Sequence, residues 1–198
     1  MRQLWQDLDA FLRPNNALVE QSGSFPAQAS VMVLFTDDHH NPEIIFTLRA
    51  QHLSNHPGEV AFPGGMWESH DATLLATALR ETHEEIGLPP PAVKVLGACR
   101  PRATRAGVQV TPFVGIIAAD TELVANRAEL DAIFRVPLAA FHSGMIQTRT
   151  DIFSHAGQSF RVPAYAHQGY EIWGFTAALT NEIISAIVAE SGEITLIQ

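Results

Sequence analysis

The stretch from residue 65 to residue 88, GMWESHDATLLATALRETHEEIGL, carries most of the information about fold and function. Four residues in it recur at i, i+4, i+7 and i+11 and so share one helix face: Leu75, Leu79, Thr82 and Ile86. Asp71 is placed to cap the start of this helix, and Gly87, followed by three prolines, to end it. The pattern predicts a helix over residues 71–86.

The same helix carries three glutamates on a different face, because Glu81, Glu84 and Glu85 stand at i, i+3 and i+4. Like charges at this spacing repel one another, whereas hard cations such as Mg²⁺ prefer oxygen-only carboxylate clusters. The alternative is a solvated helix face in which Arg80 pairs with Glu84. Residues 62–65, FPGG, form a glycine turn that can approach the helix and present backbone groups to it. We interpret the cluster as a metal site.

The composition of the 198-residue chain favours one globular domain over residues 1–198. Apolar residues make up 46% and charged residues 17%, which excludes a disordered, charge-solvated chain.

The net charge of −9 argues against DNA as a partner, and no apolar run is long enough for a membrane helix. Because the N-terminus lacks an apolar signal core, a cytoplasmic protein without a cleaved leader is predicted. Cys99 is the single cysteine, which excludes an internal disulfide.

Helix and strand patterns alternate along the rest of the chain. An amphipathic helix is predicted at about residues 1–13 and a last helix at about residues 176–190. Branched and aromatic residues predict a hairpin from residues 31–35 and 44–48. Further strand-like runs occupy residues 93–98, 110–118, 150–154, 158–165 and 170–173. Strands interleaved with two or three helices favour an α+β or α/β sandwich with a mixed sheet.

The motif at residues 65–88 resembles the signature of the Nudix hydrolases, which is a glycine, a five-residue gap, an acid, and then REUxEExGU. Gly65, Asp71 and RETHEEIGL at residues 80–88 match it, with one additional residue between Gly65 and Arg80. The same insertion is familiar in the branch of the family that cleaves coenzyme A.

That branch also carries an upstream motif similar to TLRAQHLSNHPGEVAFPGG at residues 47–65. Two positions depart from it, since Ser54 stands where the branch usually has a basic residue and Glu59 where it usually has glutamine. The likeness extends over roughly residues 30–185. The chain therefore resembles a coenzyme A diphosphatase.

The resemblance implies an α+β fold of the Nudix type, an α/β/α sandwich in which helices flank a mixed β-sheet and a loop–helix–loop carries the catalytic motif. It implies hydrolysis of the diphosphate bond of coenzyme A or its thioesters to 4′-phosphopantetheine and adenosine 3′,5′-bisphosphate. The implied cofactor is Mg²⁺ or Mn²⁺. The partner would be this small nucleoside diphosphate rather than DNA or a membrane, and a homodimer is left open.

The resemblance also assigns roles to residues of the motif. The metal ligands would be three glutamates and a backbone group of a glycine: Glu81, Glu84, Glu85 and Gly65. Arg80 would orient one of these carboxylates by a bidentate contact. The general base would be Glu84 or Glu129, and the alternative for Glu129 is a solvated loop acid.

Substrate contacts are expected from the upstream motif, the glycine turn and a local basic patch: Arg49, His56, Gly64, Arg100, Arg102 and Arg105. The three arginines of the patch would hold the 3′-phosphate of coenzyme A, with a solvated loop as the alternative. A loop-ordering hydrogen bond is the alternative for His56.

Two other functions stay open. One keeps the chemistry and changes the substrate to ADP-ribose, a dinucleotide or a capped RNA end. The other keeps the fold in a nucleotide-sensing module without turnover. Three mutually repelling carboxylates argue against the second, because a binding module has no need of them.

Overall fold

The computed structural model describes residues 2–21, 23–104, 106–142, 146–155 and 158–191. Its α-helices are α1 (Arg2–Leu12), α2 (Ala17–Glu20), α3 (Leu74–Ile86), α4 (Leu138–His142) and α5 (Gly174–Ser191). Its strands are β1 (Gln28–Thr36), β2 (Glu43–Arg49), β3 (Val60–Ala61), β4 (Gly64–Met66), β5 (Lys94–Ala98), β6 (Arg102–Ala103), β7 (Gln109–Ile117), β8 (Leu130–Pro137), β9 (Gln147–His155), β10 (Gln158–His167) and β11 (Tyr170–Ile172). Short 3₁₀ turns span Arg13–Asn15 and Pro90–Ala92.

The central sheet is mixed, because β1 runs parallel to β7 and antiparallel to β2. Its strand order is β3-β2-β1-β7-β5, with β4 also beside β1, β6 beside β7 and β8 beside β2. Strands β9, β10 and β11 form a second, antiparallel sheet. Parallel strands need a crossover connection, and the chain between β1 and β7 supplies it with α3.

Strand β1 separates two apolar layers, because successive side chains of a strand point to opposite faces. Val33 and Phe35 belong to the core that contains α1 and α5, whereas Met32 and Leu34 belong to the core that contains α3. Helices therefore cover both faces of the mixed sheet, which confirms the predicted α+β sandwich. No helix in the described ranges is long and apolar enough to cross a membrane.

Most predicted elements are present with shifted ends. The helix predicted at about residues 1–13 is α1, and the one predicted at about residues 176–190 is α5. The predicted hairpin is β1 and β2, joined through the polar segment 37–42. The strand-like runs predicted at residues 150–154, 158–165 and 170–173 correspond to β9, β10 and β11 of the second sheet. The single domain over residues 1–198 stays a prediction.

The start of the central helix was predicted wrongly. Helix α3 begins at Leu74, and its cap is Thr73, whose Oγ1 accepts a hydrogen bond from the N–H of Ala76 at 2.9 Å. Thr73 has the extended backbone that an N-cap requires. Asp71 lies before the cap and is free to bind Arg80 instead. Gly87 ends the helix as predicted, with φ +70°.

Candidate active site

Glu85 is the buried centre of the candidate site, with 2% of its surface exposed near the C-terminal end of α3. The backbone N–H of Gly64 donates to its Oε2 at 3.2 Å, and Nη1 of Arg49 stands 3.8 Å from its Oε1. Burial raises the pKa of Glu85 to about 8 against the effect of these two contacts, and the charges of Glu81 and Glu129 contribute to the rise. A cation would stabilise such a desolvated carboxylate.

Glu81 lies against strand β4. A Cβ at Gly65 would stand 2.5 Å from Cδ of Glu81, so glycine leaves the room that this carboxylate occupies. Strand β4 is held there by pairing with β1, in which Gly65 is opposite Ser30, and Oγ of Ser30 donates to the carbonyl of Leu74 at 2.8 Å. Burial raises the pKa of Glu81 as well, although Arg80 lowers it.

Arg80 connects the carboxylates of the motif. Its Nε and Nη2 donate to the two oxygens of Asp71, both at 3.0 Å, and its Nη1 donates to Glu81 at 2.9 Å and Glu84 at 3.0 Å. Burial alone would raise the pKa of Asp71, but the hydrogen bonds it accepts from Arg80, a backbone N–H and Thr77 hold that pKa below its usual range. The hydrogen bond to Asp71 in turn raises the pKa of Arg80. The guanidinium is therefore a fixed positive charge between two glutamates.

The chemical type of the donors suits a hard divalent cation, since they are carboxylate oxygens and backbone groups of the glycines in β4. Glu81 and Glu85 are desolvated, whereas half of the Glu84 side chain is exposed. In the part of the chain that the structure describes, no three acidic, histidine or cysteine side chains converge on one point. Glu81 and Glu84 both contact Nη1 of Arg80.

Glu129 is near enough to the buried carboxylates to influence them electrostatically, although it is distant in sequence. Its charge contributes to the raised pKa of both Glu81 and Glu85. Its carbonyl accepts a hydrogen bond from the N–H of Ala50 at 2.8 Å, and its Oε1 accepts one from Nδ2 of Asn126 at 3.1 Å. The candidate site is thus formed by α3, β4, the end of β2 and the loop before β8.

A family model described as the NUDIX domain matches residues 26–155 of the chain. The chain belongs to the Nudix family. Two similar proteins are described as uncharacterized Nudix hydrolase NudL, one from Enterobacter sp. (strain 638) and one from Escherichia coli O1:K1 / APEC. The first is 41% identical over 148 residues and the second 43% over 143 residues, and each match covers 72% of this chain and 73% of the relative. This Nudix hydrolase is an enzyme that acts on pyrophosphate bonds, and such enzymes generally use divalent metal ions such as Mg²⁺ or Mn²⁺.

Solved structures share its fold. A MutT/nudix family protein from Enterococcus faecalis has a TM-score of 0.50 at 16% identity, covering 88% of this chain and 66% of that protein. A C. elegans Ap4A hydrolase in a binary complex has a TM-score of 0.50 at 15% identity, covering 59% of this chain and 84% of that one. At these identities the likeness concerns the fold alone.

The upstream motif of this Nudix hydrolase contains a local side-chain contact at hydrogen-bond distance. Nδ1 of His56 and Oε2 of Glu59 are 3.0 Å apart, and His56 has φ +54° in the loop between β2 and β3. Glu59 is the residue that replaces the usual glutamine. The loop-ordering contact considered for His56 is therefore present, and a contact of His56 with substrate stays a proposal.

The predicted basic patch is divided in the structure. Arg100 is exposed, whereas Nη2 of Arg102 donates to Oε2 of Glu182 in α5. Arg105 lies outside the described residues. The charge of Arg102 is thus already paired within the protein.

Two residues of the site were missed by the sequence reasoning. Thr77 donates to Oδ2 of Asp71 at 2.9 Å, and nothing in its sequence context indicates this contact. Asn126 precedes Glu129 by three residues in the segment NRAE, and an asparagine in a loop is a typical local hydrogen-bonding residue. The three-residue spacing between Asn126 and Glu129 is the sequence feature from which this contact could have been predicted.

Proposed function

We propose that this Nudix hydrolase cleaves the diphosphate bond of coenzyme A or its thioesters, releasing 4′-phosphopantetheine and adenosine 3′,5′-bisphosphate. The main support for this proposal is a pair of contacts with Glu85. Near its two ends, the segment of residues 47–65 contacts opposite oxygens of the same carboxylate, because Arg49 approaches Oε1 of Glu85 and Gly64 donates to Oε2. The segment that resembles the coenzyme A motif is thus physically joined to the hydrolytic carboxylates.

Arg49 has a hydrogen-bond donor available for a substrate. Its Nε is buried and has no hydrogen-bond partner among the described residues, and its side chain is 26% exposed. Buried donors are rarely left unpaired, because the lost hydrogen bond costs about 1–3 kcal/mol. A phosphate oxygen of the substrate would satisfy this donor and complete the pairing of the guanidinium.

The residues divide the chemistry between them. When bound, a divalent cation would neutralise charge on the diphosphate and align the attacking water with the leaving group. Glu81, Glu84 and Glu85 would hold it with a backbone group of Gly65. Arg80 keeps Glu81 and Glu84 oriented, and the Asp71 carboxylate keeps Arg80 in place.

The proton of the attacking water needs an acceptor, for which Glu84 and Glu129 are the candidates. Glu84 already accepts a charge-assisted hydrogen bond from Arg80 at 3.0 Å. Oε1 of Glu129 accepts from the neutral amide of Asn126 and lies near the two buried glutamates. We therefore favour Glu129 as the general base.

The experiment is a panel of coenzyme A, dephospho-coenzyme A, ADP-ribose and a diadenosine polyphosphate, each with Mg²⁺ or Mn²⁺ and with products identified by mass. Coenzyme A is expected to give the two named products, and excess EDTA to abolish turnover. Glu85→Gln is the matched variant, with an expected loss of at least ~10²-fold in kcat. A preference for ADP-ribose of about tenfold or more would contradict the coenzyme A assignment, and full activity in EDTA would contradict the metal.

A further inference from the structure

The loop between β7 and β8 is attached to the C-terminal end of the catalytic helix α3. The backbone N–H of Val124 donates to the carbonyl of Ile86 at 2.9 Å, and the N–H of Asn126 donates to the carbonyl of Glu85 at 2.8 Å. Carbonyls in the last turn of a helix have no partner within the helix, so a neighbouring segment that supplies donors is held firmly. The position of Asn126 is therefore set by the residue whose side chain is buried at the centre of the site.

The side chain of Asn126, in contrast, contacts residues of its own loop. Its Nδ2 donates to Oε1 of Glu129 at 3.1 Å, while its Oδ1 accepts from the N–H of Ala128 at 3.1 Å. Its carbonyl accepts from the N–H of Glu129 at 2.9 Å. One residue thus contacts the backbone of Glu85 and both the backbone and the carboxylate of Glu129.

We propose that Asn126 is a positioning residue that holds the Glu129 carboxylate at a set place relative to Glu85. This inference rests on the proposed function, because it requires Glu129 to accept the proton of the attacking water. Misplacing a reacting group by about 1 Å can cost 10²-fold in rate, so a donor that restricts the rotamers of a loop carboxylate has a direct effect on turnover.

The charges around Glu129 give a reason for such a donor. Glu129 stands near the carboxyl groups of Glu81 and Glu85, and its charge contributes to the raised pKa of each of them. When Glu81 and Glu85 are ionised the same repulsion acts on Glu129, whose partly exposed carboxylate has solvent on one side into which it can move. The amide of Asn126 opposes that movement without adding a positive charge.

The two ends of the Asn126 amide separate this role from loop folding. Asn126→Asp keeps the acceptor for Ala128 and the backbone contact to Glu85 but loses the donor to Glu129. Asn126→Ala loses both side-chain contacts. Glu122→Ala changes an exposed acid of the same loop and is the matched control.

The experiment measures kcat, KM and Tm of the full chain for these variants, for Glu129→Gln and for Asn126→Ala/Glu129→Gln, with Mg²⁺ and whichever diphosphate the panel shows to be cleaved fastest. We expect both Asn126 variants to lower kcat about tenfold or more with KM unchanged, and Asn126→Asp to keep the wild-type Tm. In the Glu129→Gln background the Asn126→Ala change should lower kcat no further, because the two residues act as one unit.

Additive losses in the double variant would overturn the inference, as would a loss of kcat in Asn126→Ala while Glu129→Gln retains wild-type kcat. A fall in kcat that follows Tm, shared by Glu122→Ala, would overturn it in favour of loop folding. Failure of the coenzyme A assignment is seen separately, in the substrate panel, and leaves the test of Asn126 intact.

Discussion

The carboxylate of Glu81 lies directly against the α-carbon of Gly65, where an added Cβ would stand 2.5 Å from both Cδ and Oε1. The contact joins strand β4 to the middle of helix α3. The glycine at position 65 is therefore required by the position of a side chain that is distant in sequence, and not by a turn alone.

Gly65→Ala should move the Glu81 carboxylate and leave the fold almost unchanged, because the atom that must yield is the end of a flexible side chain. We expect kcat to fall roughly 10²-fold, the loss that a misplacement of about 1 Å can cause, with little change in Tm. Gly115→Ala is the matched control, since its Cβ would meet Cγ1 of Val93 at 2.6 Å in the core. That variant should lose Tm and keep kcat, and equal kcat losses in both variants would contradict the role of Gly65.

Glu85 should make the metal-free protein less stable as pH rises. Its pKa of about 8 in the fold exceeds the usual 4.5, so the folded state binds more protons and stability falls between these two values. The slope is about 1.4 kcal/mol per pH unit for one such group. Urea unfolding in EDTA should therefore show wild type losing stability relative to Glu85→Gln from pH 5 to pH 8.

Mg²⁺ at pH 8 should restore this stability in wild type and not in Glu85→Gln, because the cation stabilises the charged form. Glu20→Gln, at an exposed position in α2, is the control and should follow wild type. Parallel curves of unfolding free energy against pH for wild type and Glu85→Gln would contradict the prediction. They would mean that ionisation of Glu85 does not lower the stability of the folded protein.

Asp71→Asn should destabilise the protein by about 3 kcal/mol, because a neutral amide replaces the buried carboxylate that accepts two hydrogen bonds from Arg80. The Asp71 side chain is 3% exposed and that of Arg80 17% exposed, so water can supply few of the hydrogen bonds that the substitution removes. The pKa of Asp71 is lowered, so this stability is present above its usual value near 3.8 and is lost as pH falls below it. Urea unfolding at pH 7 measures the loss.

The matched control is Asp9→Asn, which removes a pair to Arg13 whose side chains are 70% and 55% exposed. An exposed pair of this kind contributes about 0–1 kcal/mol. Activity should fall in Asp71→Asn alone, since Arg80 would no longer be held against Glu81 and Glu84. Equal stability losses in the two variants would contradict the buried role of Asp71.

Substitution of Arg100 and substitution of Arg102 should have different effects on the preference for coenzyme A over dephospho-coenzyme A, which lacks the 3′-phosphate. Arg100→Ala is expected to lower kcat/KM for coenzyme A roughly 10–150-fold more than for dephospho-coenzyme A, as loss of one charge-assisted contact would. Arg102→Ala should affect both substrates equally and lower Tm, because Arg102 binds Glu182 of α5. If Arg100→Ala also lowers both substrates equally, Arg100 does not contact the 3′-phosphate.

The local sequence was sufficient to predict helix α3 and the strands around it. The period of 3.6 residues predicted α3, and the i, i+3, i+4 spacing of Glu81, Glu84 and Glu85 put three acids on one face. Alternating and branched residues predicted β1, β2, β5 and β7. These features depend on residues a few positions apart, whose relative geometry is set by the backbone conformation itself.

Tertiary structure alone decided how the acids are used. Local sequence suggested Asp71 as the helix cap, but the fold turns its carboxylate to Arg80 and gives the cap to Thr73. It also buries Glu85 while leaving Glu84 half exposed, although the two are adjacent in the chain. Burial depends on which strands lie over a helix, and no local spacing encodes that.

The contacts that join the parts of the site likewise exist only in the folded chain. Asn126 reaches the carbonyl of Glu85, and Arg102 reaches Glu182, across long stretches of sequence. Each contact forms because strand pairing and helix packing bring together segments that have no local influence on one another. The sequence by itself thus determined the family, the helix and its carboxylates, whereas the order of strands around β1 decided which side chains those carboxylates meet.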